Sequence, residues 1–166
     1  VDRGMNMGFS TFFFIAWLSI ASLFVIRKRL SIVENTLIFL LTLLVSINFS
    51  WIIIEELKFI DLTKNPIDYT AYLLNRSVIT PSIIVLQLNL FYRSDSRINK
   101  LLIIGSSVSS LLILSFYQSY FRITEHKQWN YFYELLYFIG LHVMSLASYR
   151  IFKRIVKDEV NYDDPI

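Results

Sequence analysis

Cysteine is absent from this 166-residue chain, which rules out a disulfide framework, a thiolate nucleophile and a cysteine-based zinc site, and leaves the redox compartment open. Charge is scarce too. Asp, Glu, Lys and Arg make up 17% of the residues, against 55% hydrophobic and 16% aromatic, with a mean hydropathy of +0.52. These values lie away from globular averages, toward those of membrane proteins. The only histidines are His126 and His142, and no second histidine stands at ligand spacing from either, so no metal is expected. The H-E-x-x-H, G-x-S-x-G, Walker and G-x-G-x-x-G patterns are also missing, as are internal repeats. Neither a cofactor nor a familiar catalytic chemistry is anticipated.

What the chain has instead is apolar runs of membrane-span length, beginning near Gly8, Thr36, Val78, Leu101 and Tyr131. Each continues for roughly 15–22 residues, which at about 1.5 Å of helical rise nearly or fully crosses a hydrocarbon core of about 30 Å. Only segments that satisfy their own backbone can sit in lipid. The expected fold is therefore all-α: a polytopic membrane protein with five transmembrane helices in a single domain over residues 1–157. The spans fall at about 8–26, 36–54, 66–92, 101–121 and 129–152, with a short acidic cytoplasmic tail at 158–166. What remains outside the spans is too short for a separate soluble domain. The first run is followed, not preceded, by Arg27-Lys28-Arg29, and no A-x-A-like site ends it, so a retained first helix is expected rather than a cleaved signal peptide.

The third helix has a clear start, with Asn65 as N-cap, Pro66 at the first helical position and Asp68 three residues after the cap. Within it Pro81 removes one ladder bond near Ser77, so the helix is expected to kink or unwind there. Basic residues gather in the first and third connectors and after the last span, whereas Glu55, Glu56, Asp61 and Asp68 balance the second connector. The positive-inside rule then places the amino terminus outside and the carboxy terminus in the cytoplasm of a plasma membrane. Trp51, Trp129, Tyr131 and Tyr133 fall near the outer ends of their spans, as an aromatic belt requires. The basic span ends read as topology signals and lipid contacts, not as a nucleic-acid surface.

Three stretches carry a resemblance: Asn75-Arg76-Ser77-Val78-Ile79-Thr80-Pro81, the helix end Asn89-Leu90-Phe91-Tyr92, and Trp129-Asn130-Tyr131-Phe132-Tyr133. Over roughly residues 75–152 the chain resembles a functionally uncharacterised family of small multi-span membrane proteins of spore-forming bacteria. The resemblance implies a bacterial helical bundle and no particular activity. The approach to Pro81 is less aromatic than that family's pattern.

Sorted by depth, the polar residues form three groups. Glu55, Glu56, Arg76 and Glu134 fall toward the outer side, with Asn48, Thr80 and Gln118 on the same side of the midplane or near it. Ionisable groups at membrane depth are costly unless they are paired or face water, so they suggest an outward polar cavity or a structural ion pair of Arg76 with one of the glutamates. Structural pairing is the commoner fate. On the last helix Glu134, His142, Ser145 and Ser148 share a face. A histidine beside a carboxylate can relay protons, although a hydrogen bond to a neighbouring helix is the usual role. On the fourth helix Gly105/Ser109 and Ser106/Ser110 make small-xxx-small pairs that permit close helix packing, within the subunit or between copies.

The leading expectation is a non-enzymatic membrane protein that acts by assembly, through self-association or as a subunit beside another membrane protein, with lipids as its surroundings. A small transporter or channel-like protein using the outer polar site and the Pro81 break is the alternative. An intramembrane enzyme working through Glu134 and His142 comes third. The ligand is not specified by the sequence.

Overall fold

The computed structural model describes residues 3–162. Helix α1 (Arg3–Val25) is followed by α2 (Ile32–Trp51), which runs into a π-helical turn (Ile52–Glu56), and by a short strand β1 (Ile60–Leu62). Helix α3 (Pro66–Leu74) joins α4 (Thr80–Arg93) through a second π-helical turn (Asn75–Ile79), and α5 (Arg97–Tyr120), β2 (Thr124–His126) and α6 (Tyr131–Tyr162) complete the order. Five helical segments are long and apolar enough to cross a membrane: Met7–Val25, Ile32–Glu56, Pro66–Arg93, Arg97–Tyr120 and Tyr131–Lys157. The chain is an all-α, multi-span bundle.

Its helices outrun their apolar stretches. Hydropathy alone starts the second span at 36 and the fourth at 101, and ends the fifth at 152. The helices begin at Ile32 and Arg97, and α6 continues to Tyr162. Beyond the hydrocarbon, a helix needs caps rather than apolar side chains. At α2 these are supplied by a capping box: Ser31 Oγ accepts from the Glu34 amide at 3.2 Å, and the Glu34 carboxylate accepts from the Ser31 amide at 2.7 Å. The segment expected as an acidic tail thus begins inside α6, while Asp163 and Asp164 lie outside the described residues.

The third span is the axis of the bundle. Its buried share is 56%, whereas no other span exceeds 33%, because α3 and α4 touch α1 on one side and α4 touches α2, α5 and α6 on the others. Two clusters hold it. Ile84, Val85 and Leu88 of α4 pack with Ile38, Leu111, Phe138 and Leu141. Ala71, Tyr72 and Ile79 pack with Phe12, Ala16 and Leu114. The break expected at Pro81 takes the form of the second π turn, in which the Thr80 amide donates to the Asn75 carbonyl. One extra residue in that turn leaves Pro81 in the first turn of α4, where a missing N–H costs least.

The connectors after α2 and α5 are not independent. β1 pairs with β2 in antiparallel register, Ile60 opposite His126, Asp61 opposite Glu125 and Leu62 opposite Thr124. The helix before each strand ends near a residue in the left-handed region, Lys58 (φ 52°) and Arg122 (φ 55°). At α5 the stop is a Schellman arrangement: the Ile123 amide donates to the Gln118 carbonyl at 2.8 Å and the Arg122 amide to Ser119 at 3.0 Å. Gly8 lets α1 close against this turn, since a Cβ there would lie 3.3 Å from Phe121 Cβ. The resulting ribbon sits across one end of the bundle.

At the opposite end, the buried Asn89 side chain fastens the α1–α2 connector. Its Oδ1 accepts from the Arg29 amide at 3.0 Å and the Leu30 amide at 3.1 Å, and its Nδ2 donates to Asn35 Oδ1 at 2.7 Å and the Val85 carbonyl at 2.9 Å.

Candidate functional site

Below the ribbon, α2, the α3–α4 junction, α5, β2 and α6 enclose a cavity of about 90 Å³. By the same measure one water occupies roughly 10–15 Å³, so the space holds several waters or a small solute. Four elements aim polar groups at it. Ser46 and Ser50 come from the inner face of α2, Asn75, Arg76 and Thr80 from the π turn and its exit, Ser115 and Gln118 from α5, and Glu134 from α6. β2 adds Thr124 and His126, two residues apart and hence on one face of the strand. Phe49 and Tyr137, stacked with ring centroids 4.0 Å apart, and Trp129, edge-on to Phe49 at 5.8 Å, form an aromatic wall.

Glu134 is already occupied. Its carboxylate accepts from Ser115 Oγ at 2.5 Å and lies 3.2 Å from His126 Nε2, and the residue is only 8% exposed. Arg76 is not paired in this way. Among the described residues no carboxylate lies within 4.0 Å of it, so the direct ion pair expected with Glu55, Glu56 or Glu134 does not form. The guanidinium instead lies over the Tyr72 ring, 5.4 Å from its centroid. Four buried polar atoms of cavity-lining residues have no hydrogen-bond partner within 3.5 Å: Arg76 Nε, Gln118 Nε2, Asn75 Oδ1 and the Tyr137 hydroxyl. Buried polar groups are normally satisfied, and such gaps mark places where water or a ligand completes the bonding.

Of the outer residues singled out by depth, Arg76, Thr80, Gln118 and Glu134 meet at this cavity, while Glu55, Glu56 and Asn48 do not. Both glutamates are exposed, and Asn48, on the outward side of α2, donates from Nδ2 to the Leu44 carbonyl at 2.8 Å. Asn48 and Glu55, seven residues apart, share a helical face, but that face turns away from the bundle.

The α6 stripe is divided. His142 is 1% exposed, with Nδ1 2.7 Å from the Phe138 carbonyl and Nε2 2.8 Å from Ser107 Oγ. A carbonyl only accepts, so the proton sits on Nδ1 and Ser107 donates to Nε2. Ser145 Oγ donates to the His142 carbonyl at 2.9 Å, and Ser148 is half-buried. Eight residues, about 12 Å of helix, separate His142 from Glu134, so the two do not act as one acid–base pair. Gly105, Ser106, Ser109 and Ser110 all face outward. Nothing lies within 4 Å of a Cβ built at Gly105, and Ser110 bonds back to the Ser106 carbonyl at 2.8 Å. Close packing inside the subunit is therefore not their role.

His126 and Ser115, the partners of Glu134, are among the site residues that hydropathy and spacing miss, with Ser46, Ser50, Asn75 and Thr124. Ser115 carried a usable signal, since Ser107, Ser115 and Gln118 fall on one face of α5. His126 carried none, because its position depends on the pairing of two distant three-residue strands. The chain matches no protein-family model, no curated protein and no solved structure.

Proposed function

We propose that this protein binds a small polar solute in the ribbon-end cavity, as a membrane-embedded receptor or carrier rather than an enzyme. The observation that supports this reading is the cavity itself: a polar space between helices whose lining includes four buried polar atoms without partners. It lies beside the interrupted third span, the kind of break from which transporters build binding sites. Charge supports an outward-facing site. Arg27, Lys28, Arg29, Arg93, Arg97, Lys100, Lys153, Arg154 and Lys157 belong to the far end, whereas the ribbon end mixes Lys58, Lys64, Arg122 and Lys127 with Glu55, Glu56, Asp61 and Glu125. The positive-inside rule then puts the ribbon outside a plasma membrane, with the amino terminus outside.

The test is thermal unfolding of the purified chain in nanodiscs against a panel of small cationic, neutral and anionic solutes, repeated with Gln118→Leu and Thr80→Val. A saturable rise in the midpoint with one class, reduced in both variants, is the expected result. No shift with any class would sink the reading.

A second reading, self-association, is favoured by the outward exposure of Gly105, Ser106, Ser109 and Ser110, a surface that admits close approach of another helix. Its test is the mass of the detergent-solubilised protein. A multimer converted to monomer by Gly105→Leu supports it, and a monomeric wild type refutes it.

A further inference from the structure

We infer that the solute taken by the ribbon-end cavity is a small oxyanion, a carboxylate or a phosphate group, held by the Arg76 guanidinium and the Gln118 amide. The inference rests on the reading of that cavity as a binding site and adds the chemical class. It follows from which charges at the site are spoken for.

Glu134 has two donors, Ser115 at 2.5 Å and His126 at 3.2 Å. A cation entering the cavity would share that carboxylate with the two donors it already has, and would also meet the positive charge of Arg76. The guanidinium, by contrast, has no carboxylate within 4.0 Å among the described residues, and its Nε is buried without a partner. Part of the guanidinium is engaged by Tyr72, over whose ring it lies 5.4 Å from the centroid and to whose hydroxyl it hydrogen-bonds, but Nε is left over. Gln118 is 6% exposed, and its Nε2, also without a partner, adds two N–H donors that no protein acceptor uses. An unpartnered guanidinium N–H and an unpartnered amide donor are the complement of a carboxylate or phosphate, whose oxygens accept charge-assisted bonds. Asn75 lines the same space, and its amide can present either end to a ligand. A volume of about 90 Å³ limits the bound group to a few heavy atoms.

Two sources supply such a group, a free anion in water or the phosphate of a lipid headgroup, and the experiment separates them. The full chain is placed in phosphatidylcholine nanodiscs, and its thermal midpoint is followed by tryptophan fluorescence during titration with inorganic phosphate, with acetate and with tetramethylammonium, at constant ionic strength. Phosphate or acetate is expected to raise the midpoint saturably, and tetramethylammonium to leave it unchanged. Arg76→Gln should weaken the anion by at least about tenfold, the worth of one charge-assisted hydrogen bond, and Arg76→Lys should weaken it less. Gln118→Glu, nearly the same shape, should weaken it as well and keeps the test open if Arg76→Gln fails to fold. If free anions add nothing but phosphatidylglycerol in the disc raises the midpoint, and Arg76→Gln erases that rise, the oxyanion belongs to a lipid headgroup. Stabilisation by tetramethylammonium alone would overturn the oxyanion assignment while leaving a binding site. Absence of any shift, with any probe or lipid, would overturn both.

Discussion

Replacing Asn89 by Leu, which keeps the branched heavy-atom shape and removes every polar atom, is the most informative single perturbation of the scaffold. Asn89 is 1% exposed and serves three groups outside its own helix: the amides of Arg29 and Leu30 and the Asn35 carboxamide. Its fourth bond, to the Val85 carbonyl, duplicates a helix acceptor and is lost at little cost. Leu30 is 3% exposed, so its N–H would be stranded, at about 1–3 kcal/mol. The Arg29 amide and Asn35 are only part-buried, water can reach them, and each costs about 0.5–1 kcal/mol. The sum is about 3 kcal/mol. In a membrane the unfolded chain also finds polar partners, which lowers the expected loss to about 2 kcal/mol. Asn89→Asp keeps the oxygen that both amides use but replaces the donor by a carboxylate oxygen facing Asn35 Oδ1 and the Val85 carbonyl in a buried site, so its loss should be no smaller. The assay is equilibrium unfolding in mixed micelles or steric trapping in bicelles, with Asn35→Ala added for a double-mutant cycle. A loss below about 0.5 kcal/mol for Asn89→Leu, or additivity with Asn35→Ala, would refute the view that this side chain fastens the connector.

Three further outcomes are expected. With no native cysteine to interfere, Lys64→Cys should react with an impermeant thiol reagent in intact cells and Asp95→Cys should not; the reverse pattern would invert the proposed orientation. Ser31→Ala removes the N-cap of α2 and should cost about 1 kcal/mol in the same unfolding assay, whereas an unchanged stability would show the capping box to be incidental. Ser107→Ala leaves His142 Nε2 without its donor and should destabilise by about 1–2 kcal/mol, yet leave solute affinity at the ribbon-end cavity unaltered; a tenfold drop in affinity would mean that the two regions are coupled.

The number and character of the spans were legible in the sequence because lipid imposes a one-dimensional rule. A segment that crosses must be apolar over a fixed length, whatever it packs against. The start of α3 at Asn65-Pro66 and the break before Pro81 were legible for a similar reason, since caps and proline act on the backbone locally. The Ser31–Glu34 capping box was equally local but lay outside the apolar run, and hydropathy alone passed over it. The rest depended on which faces met. Asn48 and Glu55 looked as well placed as Thr80 and Gln118, yet the rotation of α2 turns the first pair outward while α4 and α5 turn the second pair in. His126 reaches Glu134 only because residues 60–62 pair with 124–126 across more than sixty residues of chain. The bilayer constrains each helix one at a time and so writes that constraint into local composition. Helix rotation, the pairing of two short connectors and the choice of partners for Arg76 and Glu134 follow from contacts between segments, and tertiary packing alone decides them.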